Sequence, residues 1–494
     1  MWFALRPLRP LRWIAVCVLT LGTTAAQGQG TAPQGALTLQ QAIELAQKNS
    51  LQARAALGTR DAARERDNAF SARLLPQISL AGNLPIYSRT IVPVTQPDGT
   101  TLFLPVRQTQ SDLAMVVSQR IPYTGAQVTM SSSLNQVKRT GTGVPETWQS
   151  TPFNLSISQP ILRSNVIGWE RELNGLQSDV AERQYLEARE EIALQTSNAF
   201  FDYYAAQVSL RNATLNAATN DTLFRLNQGR YEVGKISEND LLQSELALLR
   251  ARASADAAQL EHDRAAAALR LALNMPVGTP IEITVTSDVP EFAVDTTVAT
   301  TQALRNLSSV RAVDLQDASA RRSLSEARYN ALPGATLQAS YGYNATGIAM
   351  NDVYRDLQQA QRFSLNVQMP VFGWGARSAD VQAARAEVRR VEATGGVTRE
   401  QARQDAHFAA LNVSLARRQL AIAAKADTVA QKRFEVAYNR YVIGRIDVDQ
   451  LYLAQNEKDQ ALLQYVQSLR GYWQAHYRLR RVTLFDFEKG IGIR

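Results

Sequence analysis

The amino-acid sequence predicts a mainly α-helical chain with a transmembrane β-barrel, organised as two tandem copies of one unit. Two observations support this fold class. Nearly the same stretch occurs twice, as "RYEVGKISENDLLQSE" at 230–245 and as "RYVIGRIDVDQLYLAQ" at 440–455, and each copy ends a long proline-free segment. Segments with alternating apolar residues precede both proline-free segments, as is typical of strands that face lipid on one side and water on the other.

Residues 1–26 have the pattern of a secretory signal peptide. Three arginines precede an apolar run at 13–21, and small residues end the segment. The mature chain is therefore predicted to be exported. Cys17 follows Val16, where a lipoprotein signal requires a small residue, so no lipid anchor is expected.

Composition and charge limit the classes of function. Apolar residues make up 45% of the chain and aromatic residues only 7%, which favours long alanine-rich helices over several compact cores. Subtracting the three signal-peptide arginines from the formal net charge of +8 leaves +5, which is poor evidence for nucleic-acid binding. No run of 18 apolar residues follows the signal peptide, so a membrane protein of this sequence must cross the bilayer as a barrel.

The internal repeat extends well beyond the two matching stretches. A shift of 210 residues also aligns "FNLSISQPIL" at 153–162 with "FSLNVQMPVF" at 363–372. A shift of 257 residues aligns the preceding segments 42–55 and 299–312. Because 257 − 210 = 47, the first copy must carry about 47 extra residues ahead of position 153.

Each copy is predicted to contain a helix, strands, a long helix, a tip and a second helix, with boundaries at prolines, glycines and changes of period. In the first repeat, 27–275, strands lie at about 77–162, the long helix at 165–228, the tip at 229–237 and the next helix at 238–274. In the second, 299–481, strands lie at about 335–372, the long helix at 377–443, the tip at 444–448 and the next helix at 449–481. A linker at 276–298 joins the repeats, and a tail at 482–494 ends the chain.

The long helices need lateral partners. A helix of about 60 residues extends roughly 90 Å at about 1.5 Å per residue, which is too long for a compact domain. Nine alanines between 251 and 268 favour close antiparallel packing of the coiled-coil type. Gly395 and Gly396 predict a bend in the second long helix.

The repeated stretches are predicted to be the tips of helical hairpins. Gly234 and Gly444 mark the ends of the long helices, because glycine adopts the left-handed conformation that closes a helix. A Ser or Asp at 237 or 240, and an Asp at 447 or 449, is placed to cap the next helix. The glycines and the caps are explained equally well by a plain turn between antiparallel helices.

A plain turn does not explain why Arg, Tyr, an aliphatic residue, Gly and a basic residue recur in the same order. The recurring residues are therefore the candidate site. They are Arg230, Tyr231, Val233, Gly234 and Lys235 in the first copy and Arg440, Tyr441, Ile443, Gly444 and Arg445 in the second.

With these features the chain resembles the outer-membrane efflux proteins of the TolC type over nearly all of its mature length. The resemblance rests on the twofold repeat, the strands that end in Q-P-I-L or M-P-V-F before each long helix, and the Y-x-V/I-G tips. It implies a homotrimer whose strands share one outer-membrane barrel and whose helices continue the barrel as a periplasmic tunnel. It also implies that the tips close the tunnel and dock on a periplasmic adaptor (membrane fusion protein) of an inner-membrane transporter.

The resemblance further implies a latch at the tips. Tyr441 and Asp240 match positions of a tyrosine, aspartate and arginine network that holds the tips closed in family members. The position of that arginine is Ile446 in this sequence, with Arg445 beside it. We therefore expect the network that holds the tips closed to use a different set of contacts in this chain.

The charge of the tunnel entrance also departs from the family pattern. The acidic ring of such members maps to Gln450 and Leu453, and Asp449 is adjacent but out of register, which leaves cation selectivity open. Lys235 and Arg445 are either adaptor contacts or solvated tip charges. The candidates for the gate and aperture are Asp240, Tyr441, Arg445, Asp449 and Gln450.

The extra residues of the first copy leave the number of strands open. A literal interpretation gives four strands in the first copy and two in the second, hence eighteen in a trimer instead of the twelve that the resemblance implies. The alternative keeps two strands per copy in the wall and leaves the extra hairpin outside it. We favour six strands per chain.

The sequence does not predict an enzyme, a cofactor site or a metal site. His262, His407 and His476 lie far apart on predicted helices, without a carboxylate cluster beside them. Transport by such a duct would be passive. Two alternatives each explain part of the pattern: a periplasmic helical-hairpin adaptor or scaffold explains the helices without the strands, and an ordinary porin explains the strands without the helices.

Overall fold

The computed structural model describes residues 36–95, 98–140, 146–286 and 289–493. The predicted signal peptide at 1–26 lies outside these residues. The helices are α1 (Leu39–Asn49), α2 (Leu51–Arg73), α3 (Val166–Glu232), α4 (Glu238–Leu273), α5 (Thr296–Asn306), α6 (Ser308–Ala331), α7 (Ala376–Val442) and α8 (Val448–Thr483). The strands are β1 (Gln77–Thr95), β2 (Thr101–Arg120), β3 (Gln127–Thr140), β4 (Thr147–Ile161), β5 (Gly334–Gly347), β6 (Gln358–Gln368), β7 (Phe485–Asp486) and β8 (Ile491–Gly492).

The order of these elements confirms the predicted tandem repeat. The series α1, α2, β1 to β4, α3 and α4 is followed by the matching series α5, α6, β5, β6, α7 and α8. The long helices α3 and α7 have 67 residues each, and α4 and α8 have 36 residues each. The described chain is therefore mainly helical with one large sheet, in agreement with the predicted fold class.

Both long helices continue through glycines. The first long helix, predicted to end at 228, continues through Gly229 to Glu232, because the chain turns left-handed only at Gly234. The second long helix continues unbroken through Gly395, where a bend was predicted. A Cβ at Gly395 would lie 2.5 Å from Cγ1 of Val313 on α6, so this glycine permits close packing of two helices.

Three other predicted boundaries also need correction. β6 ends at Gln368 and not at 372, since Pro370 has no N–H to donate to a strand ladder. The second repeat begins inside the predicted linker, where Asp295 accepts a hydrogen bond from the N–H of Thr297 and caps α5. The predicted tail at 482–494 contains the end of α8 and the β7–β8 hairpin.

Strands β1 to β6 form one antiparallel sheet in chain order. Paired residues connect β1 to β2 from Gln77 opposite Ser118 as far as Thr95 opposite Thr101. The extra hairpin of the first copy is therefore hydrogen-bonded into the same sheet as the other strands. The sheet of this chain has six strands, and the outer edges of β1 and β6 are its two edges.

The two faces of the sheet have opposite character. One row of directly paired residues is apolar or aromatic from β1 to β5: Ile78, Val117, Met130, Leu155 and Tyr341. Phe363, Leu365 and Val367 continue this apolar face on β6. An adjacent row on the opposite face is polar throughout: Gln77, Ser118, Thr129, Ser156, Ser340 and Arg362.

The long helices pack side by side in the order α4, α3, α8, α7, because α3 contacts both α4 and α8 while α8 also contacts α7. The outer helices of this layer, α4 and α7, keep large apolar side chains exposed. No helix in the described ranges has both the length and the apolar character needed to cross a membrane.

The helical part has two separate clusters of buried apolar residues. The larger one, which we call the equatorial core, includes Phe200, Phe201, Leu269, Leu469 and Tyr472, all less than 2% exposed. The smaller one, the tip core, lies close to the hairpin tips. Its buried members are Leu223, Tyr441, Val448 and Leu451.

A buried ion network ties the end of the chain to the equatorial core. Nε of Arg480 lies 2.9 Å from Oε2 of Glu190 on α3, and its Nη1 lies 2.8 Å from Oδ2 of Asp486 on β7. The Glu190 and Asp486 side chains are only 3% and 7% exposed. One guanidinium therefore neutralises two carboxylates that have little access to water.

Candidate functional site at the hairpin tips

The first tip is closed by a Schellman turn. The N–H of Gly234 donates to the carbonyl of Tyr231 and the N–H of Lys235 to that of Arg230, both at 2.8 Å. Gly234 has φ +70°, which a residue with a Cβ adopts only with strain. The second tip repeats both bonds at 2.9 Å around Gly444, whose φ is +72°. The recurrence of glycine therefore has a conformational cause.

The helices that follow the tips are capped differently. Ser237 and Asp240 form a capping box at the start of α4, where the Ser237 N–H and hydroxyl donate to Oδ2 of Asp240 at 3.1 and 2.8 Å. Asp447 occupies the equivalent position before α8 but makes no side-chain capping bond. The second tip is therefore stabilised by fewer capping hydrogen bonds than the first.

Tyr441 is the most buried of the predicted tip residues, with 4% of its surface exposed. Its hydroxyl donates to Oδ1 of Asn227 on α3 at 2.7 Å. The guanidinium of Arg230 lies 5.2 Å from the centre of the Tyr441 ring, and its Nη2 donates to the carbonyl of Val442 at 3.1 Å. Tyr441, Asn227 and Arg230 thus join the two tips, and we call these three residues the tip clasp.

The predicted gate residues lie around this clasp in different ways. Asp240 and Tyr441 line the same cavity of about 680 Å³ between the tips, but the hydrogen bonds of Asp240 go to Ser237. Asp449 accepts a hydrogen bond of 2.5 Å from Nε2 of Gln243, which connects α8 to α4. Gln450 is exposed.

The remaining predicted residues form an exposed outer rim. Tyr231, Val233 and Ile443 are all more than 40% exposed. Lys235 and Arg445 are also exposed, and across the described ranges neither forms an ion pair. The tips therefore combine an internal clasp with apolar and basic groups that face outward.

Sequence reasoning missed several buried polar residues behind the tips. Asn220, Tyr452 and Gln455 line a cavity of about 390 Å³ between α3, α4 and α8. Each has a buried oxygen without a hydrogen-bond partner among the described residues. Burial, followed by the nearby Tyr441, raises the pKa of Tyr452 to about 12. Asn220 and Asn227 are seven residues apart on the buried side of α3, and this polar heptad step was the available sequence signal.

We expect the Tyr441→Phe substitution to loosen the tips without unfolding the chain. It removes the only hydrogen bond that the Asn227 side chain makes within the described residues, at a cost of about 1–3 kcal/mol. Hydrogen exchange of the amides in α7 and α8 near the tip should accelerate by about fivefold to about a hundredfold, since about 1.4 kcal/mol corresponds to one factor of ten. Tyr231→Phe is the matched control, because Tyr231 occupies the equivalent exposed position of the first tip. Equal exchange rates in both variants would show that the hydrogen bond between Tyr441 and Asn227 does not hold the tips together.

Comparison with protein families places these features in a known context. A family model described as outer membrane efflux protein matches residues 104–275 and 299–483. These ranges include both tips, the four helices that form them and strands β3 to β6. The strand β1 lies outside them.

Comparison with solved structures shows the same fold at low sequence identity. The Campylobacter jejuni CmeC outer membrane channel is 16% identical with a TM-score of 0.65, over 92% of this chain and 86% of that one. VceC, an outer membrane protein of Vibrio cholerae, is 14% identical with a TM-score of 0.64, over 92% and 97%. The open state of the Neisseria gonorrhoeae MtrE outer membrane channel is 14% identical with a TM-score of 0.62, over 92% and 89%.

One relative is similar in sequence over part of its length. Protein CyaE of Bordetella pertussis is 27% identical over 221 residues, which are 44% of this chain and 46% of CyaE. The matched region therefore spans just under half the length of this relative.

Proposed function

We propose a function from one premise, which is that this chain belongs to the outer membrane efflux protein family. Three copies form a passive exit duct that carries substrates across the outer membrane. The observation that carries the proposal is the six-stranded sheet with one apolar face, joined directly to helices of 67 residues. Such a sheet suits a lipid-facing wall, and such helices are about 100 Å long at about 1.5 Å per residue.

The edges of the sheet support assembly from several copies. A six-stranded sheet leaves unpaired N–H and C=O groups along β1 and β6, which costs several kcal/mol per group, as an order of magnitude, inside a bilayer. Pairing β6 of one copy with β1 of the next removes both edges. Three copies then close an eighteen-stranded barrel.

The helical layer supports the same arrangement. On α7, Phe408, Leu415, Ile422, Val429 and Val436 are exposed at steps of seven residues, and we call this set the α7 stripe. On α4, the opposite edge of the layer, Leu242, Leu246 and Leu249 are exposed with helical spacing. Seven-residue apolar stripes pack against partner helices, so α7 of one copy packs on α4 of its neighbour.

The tips are proposed to be the periplasmic end of this duct. Their exposed rim of Val233, Lys235, Ile443 and Arg445 docks on a periplasmic adaptor that connects the duct to an inner-membrane transporter. The tip clasp holds the entrance narrow, and Asp240, Asp449 and Gln450 line the approach to it. The partner pump supplies the energy of transport, and the barrel is embedded in outer-membrane lipid.

The first test is the molar mass of the native assembly. The protein is extracted from the outer-membrane fraction in mild detergent and measured by light scattering with correction for the detergent. We expect three chains per particle, recovered only when detergent is used. A monomer or dimer released without detergent would contradict the duct and favour a periplasmic scaffold of helical hairpins.

A further inference from the structure

The apolar face of the sheet carries three basic residues near the end that is remote from the helices. Arg89 lies directly opposite Arg107 in the β1–β2 ladder, and Lys138 lies opposite Thr109 in the β2–β3 ladder. All three side chains are exposed. They share a face with Val117, because β2 pairs with β3 without a register shift. We call Arg89, Arg107 and Lys138 the basic belt.

The remote position of the belt follows from the connections of the sheet. The β2–β3 turn lies beside the start of α3, where Nδ2 of Asn165 donates to the carbonyl of Pro122 at 2.6 Å. Thirteen residues separate Arg120, near this turn, from Arg107. At about 3.4 Å per residue and a tilt of about 40°, they span about 34 Å of height, more than the apolar band of about 25 Å in such barrels. The belt therefore lies beyond the hydrocarbon, on the side away from the helices.

Aromatic side chains lie at two levels of the sheet, at the helix end and beside the basic belt. Tyr123, Phe372 and Trp374 are more than 70% exposed at the helix end of the sheet. At the remote end, Tyr87 pairs with Thr109 and shares the face and level of Lys138. Aromatic residues concentrate at the interfaces between lipid and water, so the belt coincides with the outer interface.

The described part of the protein places little negative charge near the belt. Within the described ranges none of the three residues forms an ion pair. In the whole segment 77–161 the acidic residues are Asp98, Asp112 and Glu146. Asp112 lies on the other face of the sheet, where it accepts a hydrogen bond from Asn83. Glu146 lies on the side of the belt, where it accepts a hydrogen bond from Gln136, two residues from Lys138.

The pairing of Arg89 with Arg107 is itself unfavourable. Two like charges directly opposite each other on one face of a sheet repel, and this repulsion destabilises the strand pair. A multiply charged anion between them would convert the repulsion into two charge-assisted hydrogen bonds. Long basic side chains at this level can also extend along the apolar surface towards lipid headgroups.

We propose that the basic belt binds the phosphate groups of a phosphorylated glycolipid, of the lipid A class, in the outer leaflet of the outer membrane. The inference rests on the proposed function, because that function determines which end of the sheet faces outward. Three basic groups near the β1 edge lie where one copy meets the next in the proposed barrel. The bound lipid would therefore cover the junction between subunits.

The test uses the full-length protein purified in mild detergent, with lipid A added and bound lipid counted by native mass spectrometry. The combined variant Arg89→Gln, Arg107→Gln and Lys138→Gln should bind lipid A about tenfold more weakly or worse, since each basic group near a charged lipid surface contributes about 1 kcal/mol. Arg89→Gln alone should show a smaller loss in the same direction. Dephosphorylated lipid A should bind poorly to the wild-type protein.

The matched control removes basic groups from the other face of the same sheet. Arg139 is adjacent to Lys138 in sequence, but its Nε donates to Gln108 on the polar face at 3.2 Å, and Arg362 also lies on that face. The variant Arg139→Gln and Arg362→Gln should bind lipid A as the wild type does. Unchanged binding in both belt variants, or equal binding of phosphatidylglycerol by the wild type, would overturn the assignment.

The same preparation separates this inference from the proposed function. The mass of the lipid-free wild-type particle and its membrane fraction report whether a trimer forms in the outer membrane. If a trimer is recovered from the outer membrane but the belt variants bind lipid A as the wild type does, the lipid-binding role of the belt is wrong and the duct is not affected. A particle of another size, or one from another compartment, refutes the duct itself and with it the outward placement of the belt.

Discussion

The Arg480→Ala substitution should lower the free energy of unfolding by about 3–5 kcal/mol, because it leaves two buried carboxylates without a counter-charge. The guanidinium contacts Glu190 and Asp486, whose side chains are almost inaccessible to water. The loss should release the β7–β8 hairpin first, since Asp486 lies on β7. Thermal unfolding of the detergent-solubilised protein measures the stability, and limited proteolysis detects a freed C-terminal segment.

Arg481 provides a control at the next residue. Its Nη1 lies 2.8 Å from Oε2 of Glu191, but the two side chains are 47% and 35% exposed. Exposed ion pairs contribute about 0–1 kcal/mol, so Arg481→Ala should leave the unfolding temperature nearly unchanged. Similar losses of stability in both variants would show that the buried network contributes no more than an exposed ion pair.

The Val429→Asp substitution should abolish the trimer while leaving the helices of each chain intact. Val429 belongs to the α7 stripe and is exposed in the single chain. In the proposed assembly it is buried against α4 of a neighbour, where an unpaired carboxylate costs several kcal/mol, as an order of magnitude, at each of three interfaces. Light scattering should therefore show a single chain per particle, with helical content by circular dichroism close to that of the wild type.

The control for this substitution is the preceding residue. Thr428 is exposed on a different side of α7, and its hydroxyl donates to the carbonyl of Ala424 within the same helix. Thr428→Asp introduces the same charge one residue away and should leave the trimer intact. A trimer that survives Val429→Asp would show that the α7 stripe does not form the contact between copies.

The parts of the structure that sequence predicted well are those governed by local chemistry. The left-handed turns at Gly234 and Gly444 depend on the absence of a Cβ, and the cap at Ser237 depends on Asp240, three residues later. The side-chain cap expected from Asp447 does not form. The repeat itself revealed the extra hairpin, since two different alignment shifts require an insertion. These features need no knowledge of distant contacts.

The parts that sequence did not predict depend on which surfaces meet. Asn227 and Arg230 belong to α3, yet Asn227 accepts the hydrogen bond of Tyr441 and Arg230 lies over its ring, more than 200 residues away in the chain. The packing role of Gly395 is revealed only by the approach of Val313 from α6. The family resemblance pointed to Asp240 as a partner of Tyr441, whereas its side chain is occupied by the capping box.

The separation of the equatorial core from the tip core has a consequence for how the molecule moves. The equatorial core is large and apolar, whereas the tip core is small and lies beside Asn220, Tyr452 and Gln455. The buried oxygens of these three residues have no hydrogen-bond partner in the described part of the chain. Because wetting these oxygens recovers part of their lost hydration, fraying the last turns of the hairpins costs little. The two ends of the helical layer should then behave as separate cooperative units. The hairpin tips at the entrance can therefore unfold and refold locally many times while the rest of the assembly stays folded.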